Sequence, residues 1–228
     1  MTNKILLNGR EVDLGSNSSA GIDLIAYASR TGTKRNLAGL RSAGWRLLVS
    51  ATGPLRPEGF PYALDNGAWT AFQKGQPFDE RRFVVALRKL GRNADWTTIP
   101  DIVAGGAASL ELSLRWMRTV LDECERGLLA VQNGMAVADV EPFIGPRVGI
   151  FVGGDTRWKM DTMAQWSELA KKKGAWCHIG RVNSRRRIIA CQTAGATSFD
   201  GTNASRFAKN QPHLFAAVRQ RTFDFGGS

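Results

Sequence analysis

Three aspartates each stand in or at the end of a short apolar run: Asp65 in "YALDNGAW" (62–69), Asp101 in "TTIPDIVA" (97–104) and Asp200 in "ATSFDGT" (196–202). Carboxylates that face one pocket raise each other's pKa, so that one stays ionised as a nucleophile while another carries a proton. Glycosidic chemistry uses such a pair. Gln132, closing the run "LLAVQ", offers a donor and an acceptor together, the pattern that reads a purine edge. Gly153 and Gly154 follow "VGIFV" and give a backbone that a planar base can approach closely. After Asp65 the chain continues Asn66-Gly67-Ala68, which predicts a sharp turn with room for something flat against Gly67 and Ala68. Each residue also has a plainer reading. A lone Asp after a strand often caps the next helix, and Gln132 before Asn-Gly suits a turn. Three acids, an amide and a Gly-Gly pair, all after strands, seldom arise from capping alone.

The segment "GRVNSRRRI" (180–188) carries a second signal. Ser184 is the candidate cap of a helix whose first turn holds Arg185, Arg186 and Arg187, where the macrodipole disfavours cations by up to roughly 1 kcal/mol each. A bound phosphate reverses the sign of that cost. Arg181, Asn183, Ser184 and the three arginines are therefore the candidate grip on a nucleic-acid backbone, against the alternative of a solvated arginine face. Lysine plus arginine exceed Asp plus Glu by 31 to 20, a formal charge of +11. That surplus favours a polyanionic partner, nucleic acid before membrane, because no segment shows a basic amphipathic pattern. A basic surface kept for solubility is the plainer account. Of the seven tryptophans, Trp69 and Trp158 follow strand ends and could stack on bases, while the others suit the core or a helix face.

Stepping these residues onto elements requires strands to deliver them. Short apolar runs predict strands at 23–29, 46–51, 62–65, 97–104, 128–132, 148–153, 175–180 and 196–200. Helical patterns lie between them. The best is Leu110, Leu114, Met117, Leu121 and Cys124, which share one face; others hold Phe83, Ala86, Leu87 and Leu90, or Met163, Trp166, Leu169 and Ala170. The last ends in Lys171 to Lys173 and Gly174, as a helix C-terminus should. Eight strand–helix units predict an α/β fold closed into a compact (β/α)8 TIM-type barrel, with an open doubly wound sheet as the alternative. Neither GxGxxG after the first strand nor GxxxxGK[ST] supports the open sheet. In a barrel the site sits at the C-terminal ends of the strands, where the residues above fall.

With 228 residues, 43% hydrophobic and 22% charged, the chain reads as one soluble barrel domain spanning 1–228, with a loose tail from about 221. No apolar run nears the roughly 20 residues of a bilayer span, and "MTNKILLNGREVD" is too short in apolar residues for a signal peptide. The expected location is cytoplasmic. Cys124, Cys177 and Cys191 show no CxxC spacing, which argues for a reducing compartment and against zinc; only His178 and His213 could supplement them.

Taken in order, these stretches resemble a known family. "LDNGAW" is similar to the Asp-Ser-Gly-Gly-Phe-Gln segment of the tRNA-guanine transglycosylases, "AVQNG" to their Val-Gln-Gly-Gly, "FVGGD" to their Gly-Gly-Leu turn, and "GATSFDGT" to the strand bearing their nucleophilic Asp. "HIGRVNSRRRI" followed by "SFDGT" resembles more closely the short phage and bacterial proteins related to the DNA 7-deazaguanine transglycosylases. The resemblance implies a base exchange in which Asp200 attacks the anomeric carbon and Asp65 is the general acid/base; no cofactor is expected, and the cysteine spacing gives no metal site. Gln132 with the Gly153 and Gly154 backbone would hold the base. Asp101 is the nearest acid to the family's base-reading Asp, whose loop here is only "GGAA" (105–108). The family's tRNA enzymes carry a zinc site of three cysteines and one histidine in a C-terminal extension; this sequence has neither the ligand spacing nor the length expected for it, which leaves DNA favoured over tRNA.

The implied partners are DNA and a free 7-deazaguanine base such as 7-cyano-7-deazaguanine, with dimerisation and accessory proteins left open. Two rivals stand beside this expectation: an N-glycosidase in which water replaces the incoming base, and a non-catalytic barrel that binds nucleic acid through its basic face.

Overall fold

The computed structural model describes the backbone of residues 4–7 and 10–13 and the whole of 24–220. β1 (Lys4–Leu7) and β2 (Arg10–Asp13) pair antiparallel, Lys4 opposite Asp13 and Leu7 opposite Arg10. The strand reading passed over this pair, although Asn8-Gly9 between two short runs is a hairpin signal. Asp23 and the tail from 221 lie outside the described residues.

Eight parallel strands follow: β3 (Ile25–Ser29), β4 (Arg46–Ser50), β5 (Tyr62–Asp65), β6 (Thr97–Thr98), β7 (Gly127–Val131), β8 (Val148–Val152), β9 (Cys177–Ile179) and β10 (Ser198–Gly201). They close in the order β10-β3-β4-β5-β6-β7-β8-β9. Outside them run α1 (Lys34–Ser42), α2 (Ala68–Gln73), α3 (Glu80–Leu90), α4 (Gly106–Glu123), α5 (Val137–Val140), α6 (Thr156–Lys172), α7 (Arg185–Thr193), α8 (Asn203–Arg206) and α9 (Gln211–Arg219). The fold is the expected (β/α)8 barrel.

Each predicted strand is present to within a few residues except β6. The run 97–104 was expected to be one strand, yet only Thr97 and Thr98 pair, with Leu64 and Gly127 among their partners. Pro100 has no N–H to continue a ladder, so the chain leaves the sheet there. Ala104, at φ 58°, completes the loop into α4. Asp101 consequently rides on a loop.

Period-two alternation divides the core into two shells. Outward residues such as Val49, Leu64, Leu129, Ile150, Ile179 and Phe199 are buried against the helices. Their partners are the apolar helix faces read from the sequence: Phe83, Ala86, Leu87 and Leu90 on α3, and Met163, Trp166, Leu169 and Ala170 on α6. Burial of each large apolar side chain stabilises by roughly 1.5–3 kcal/mol. Inward residues form the second shell, where Tyr27, Ala63, Trp96 and Leu128 are fully buried, with Ile25, Leu48, Phe151 and Trp176 against them. The same inward face, continued toward the C-terminal ends of the strands, carries Ala63 to Asp65, Ser198 to Asp200 and Leu128 to Gln132. Alternation alone therefore aims these polar groups at one place.

Candidate active site

At the C-terminal ends of the strands lies a cavity of about 480 Å³, within the roughly 300–1,000 Å³ of small-molecule sites. Asp65, Trp69, Asp101, Gln132, Gly153, Gly154, Arg181, Asn183 and Asp200 all line it. Ser184 and Arg185 to Arg187 do not.

Asp65 ends β5 opposite Ser50 of β4. Its Oδ2 accepts the Gly67 N–H at 3.1 Å, and Asn66 Oδ1 accepts the Ala68 N–H at 2.8 Å. These two side-chain-to-backbone bonds fold the chain over into α2. Gly67 sits at φ 87°, and a Cβ there would lie 2.6 Å from Thr52 Cγ2. The expected flat surface on Gly67 is thus absent: the glycine is buried against Thr52 and serves the turn. Asn66 reaches across to the next loop, donating to the Ile99 carbonyl at 3.0 Å and to Asp101 Oδ1 at 2.8 Å. One amide therefore fixes the spacing of two acids.

Burial pushes the Asp65 carboxyl up to about 6, with the charges of Asp200 and Asp101 adding to the rise and the Ser50 hydroxyl and Gly67 N–H opposing it. Asp101 is also raised to about 6 by burial, against the Asn66 hydrogen bond. Both keep part of their surface on the cavity.

Asp200, in β10, is 5% exposed. Its Oδ1 accepts the Arg181 N–H at 3.0 Å and lies 3.1 Å from His178 Nε2. Arg181 adopts φ 58°, a left-handed conformation unusual for a residue with a Cβ. Its guanidinium lies 4.0 Å above the Trp69 ring and donates to the Gly154 carbonyl. The loops after β5, β8 and β9 are tied together by this one side chain. Burial lowers the Arg181 pKa, with Asp200 and Asp155 opposing.

Trp69 accordingly forms a wall whose face is covered by Arg181, with Phe72 stacked 5.8 Å away. Trp158 is not at the cavity. It packs 6.2 Å from Trp166 and beside Gly154, where φ is 65° and a Cβ would come within 2.6 Å of the indole. Gly154 is glycine for that contact before any ligand is considered. Gln132 is nearly buried, and its Nε2 donates at 2.8 Å to the Ile102 carbonyl and to Ser109 Oγ. The donor half of the amide is held by protein, which leaves Oε1 as its ligand-facing group.

Ser184 caps α7 as expected, its Oγ accepting the Arg187 N–H at 3.4 Å. Arg185 and Arg186 are exposed, and Arg185 donates to Gln220 Oε1 at 2.9 Å. The basic groups that do line the cavity, besides Arg181, are Arg30, paired with Glu58, and the exposed Arg206 of α8. Behind the cavity Lys159 is 4% exposed and donates to the Gly180 carbonyl. Burial lowers its pKa to about 8, helped by Arg181 and opposed by Asp200.

Sequence reading missed Ser50, Asn66, His178, Thr202 and Arg206. For His178 the signal was present: in "AWCHIG" alternation places Trp176 and His178 on the inward face that Ser198 and Asp200 share. Arg206 had no signal, because the one-turn helix α8 is too short to show a period. Among the described residues no three His, Cys, Asp or Glu side chains gather as a metal-ligand set, and no helix is long and apolar enough to cross a membrane.

Compared with known proteins, the chain matches no family model and no curated sequence. What the observations establish is architectural: a (β/α)8 TIM-type barrel whose C-terminal face holds one cavity lined by three aspartates.

Proposed function

We propose that the protein is a base-exchanging transglycosylase acting on a guanine in DNA and inserting a 7-deazaguanine. The observation that carries this reading is that Asp65 and Asp200, 135 residues apart in sequence, line the same cavity in different environments. Asp65 keeps its proton to about pH 6; Asp200 Oδ1 accepts the Arg181 N–H and lies against His178 Nε2. In the first step an Asp200 oxygen bonds to C1′ of the sugar and the C1′–N9 bond breaks, while Asp65 gives its proton to the departing base. In the second, the incoming base loses its N9 proton to Asp65, N9 bonds to C1′, and the ester to Asp200 opens. Two inversions give net retention, and the energy of the glycosidic bond is conserved through the ester.

Gln132 Oε1 and the Gly153 backbone supply hydrogen-bonding groups to the base, with Asp101 on the neighbouring loop after β6. The +11 charge and the arginines at and near the cavity suit a phosphate backbone. A target inside a duplex would have to be flipped out to reach a pocket of this depth.

The test is incubation of DNA, and separately tRNA, with radiolabelled 7-cyano-7-deazaguanine, using wild type and Asp200→Asn. Label entering DNA with wild type alone supports the reading. Equal incorporation by both proteins, or none by either across candidate 7-deazaguanines, overturns it. Free guanine released with abasic sites accumulating would assign the hydrolytic reaction instead.

A further inference from the structure

His178 lies wholly inside the barrel, below the cavity and out of reach of any substrate. Its ring is gripped on several sides, with Trp96, Phe151 and Tyr27 centroids at 4.5, 5.0 and 5.8 Å. Both ring nitrogens are engaged. Nδ1 is 2.8 Å from Ser198 Oγ, and Nε2 is 3.1 Å from Asp200 Oδ1.

The directions of these bonds follow from proton counting. The Trp176 indole N–H can only donate, and it points at Ser198 Oγ at 2.6 Å. Ser198 is fully buried, so its single hydroxyl proton needs an acceptor, and Nδ1 is the one within reach. Nδ1 must then be bare, and the imidazole proton sits on Nε2, where it faces a carboxylate oxygen. The two ends of the chain agree on one tautomer. The charged groups facing the ring are Asp200 and Lys159, and burial lowers the imidazole pKa against the pull of Asp200. Asp200 Oδ1 thus receives two N–H donors, from His178 and Arg181. Oδ2 has no protein donor among the described residues, and Asp200 lines the cavity.

We propose that His178, as the neutral Nε2–H tautomer set by Trp176 and Ser198, is a positioning residue that locks the rotation of the Asp200 carboxylate and presents Oδ2 to the cavity. A carboxylate free to rotate would spend part of its time with neither oxygen aimed at the reacting carbon; one tied at Oδ1 is organised before substrate arrives. The catalytic consequence rests on the base-exchange reading, whereas the tautomer does not.

The experiment therefore has two arms. In protein labelled with 15N-histidine, with His213→Gln used to assign the two residues, two-bond 1H–15N spectra should show His178 protonated at Nε2 alone at neutral pH, and the Ser198→Ala variant should lose that strict preference. A proton on Nδ1, or an imidazolium, in the wild type overturns the proposal whatever the protein catalyses. In base exchange, His178→Leu should lower kcat by about 10- to 100-fold with KM little changed, and His178→Gln, which restores an N–H donor, should recover at least tenfold of it. A folded His178→Leu enzyme with wild-type kcat overturns the proposal. If that variant does not fold, Ser198→Ala must show a lowered kcat. Absence of exchange in the wild type removes the function reading and leaves the spectra to decide the tautomer.

Discussion

The two ends of the barrel handle aspartate in opposite ways. At the N-terminal end Asp95 accepts from the Tyr27 hydroxyl at 2.8 Å and pairs with Arg46 at 2.7 Å, while its own carbonyl accepts from Arg126 at 3.0 Å. Its charge is matched, and burial, helped by this carboxylate, drives the Tyr27 hydroxyl pKa upward. At the C-terminal end Asp65, Asp101 and Asp200 meet an amide, a hydroxyl, the His178 imidazole and backbone N–H groups, and no Lys or Arg forms an ion pair with any of them among the described residues. One arrangement holds strands together; the other keeps charge available at a cavity. Burial raises Asp65 and Asp101 to about 6, which lets these two carboxyls take up or release a proton near neutral pH.

The contrast can be broken most sharply at Asp200. Asp200→Asn keeps an acceptor for His178 and Arg181 but removes the proposed nucleophile, so on that reading base exchange should fall by a factor of about 10³ or more while the melting temperature barely moves. An equal loss of stability would mean that this end of the barrel is structural too. At the other pole, Arg46→Ala should leave exchange unchanged and cost about 1–3 kcal/mol in urea unfolding, less than a fully buried pair because both side chains are partly solvated.

Asp65→Asn sharpens the comparison through pH. The folded carboxyl has its pKa raised from 3.8 to about 6, so the native state binds the proton more tightly and loses stability as pH rises from about 4 through 6. Replacing the group should therefore stabilise the protein at pH 8, by on the order of 1–3 kcal/mol, and have little effect near pH 3.5. Stabilisation that is independent of pH would contradict the account. The same substitution should abolish the dependence of base release on a group titrating near 6. The smallest effect is expected at Arg185 and Arg186, outside the cavity: replacing both with Gln should lower the slope of log affinity for DNA against log salt by about 1–2, with kcat unaffected.

Much of this was legible in the chain itself, for identifiable reasons. Strands such as "VGIFV" and "LLAVQ" are buried on both faces and read as continuous apolar runs, so the barrel could be inferred from their number and spacing. Asp65, Asp200 and Gln132 were legible because they interrupt such runs on the inward parity, and Asp101 because an acid stands inside the apolar run 97–104. What escaped depends on contacts between distant segments. Nothing local indicates that Asn66 would bridge to Asp101, that Arg181 would lie over Trp69, or that Gln132 would give its amide protons to Ile102 and Ser109. The false expectation of open space at Gly67 has the same origin, since Thr52 belongs to another loop. Local signals were also passed over, namely Asn8-Gly9 between β1 and β2, the parity of His178, and Pro100, which ends β6 where the apolar run continues.

The first strand of the cylinder, β3, is hydrogen-bonded to the last, β10, and the carboxylate assigned to attack sits on that last staple. A ribosome must release residue 201 before the ring can close. A shorter nascent chain lacks β10, so β3 has no partner on that side and the cylinder stays open; on the base-exchange reading it would also lack the attacking carboxylate.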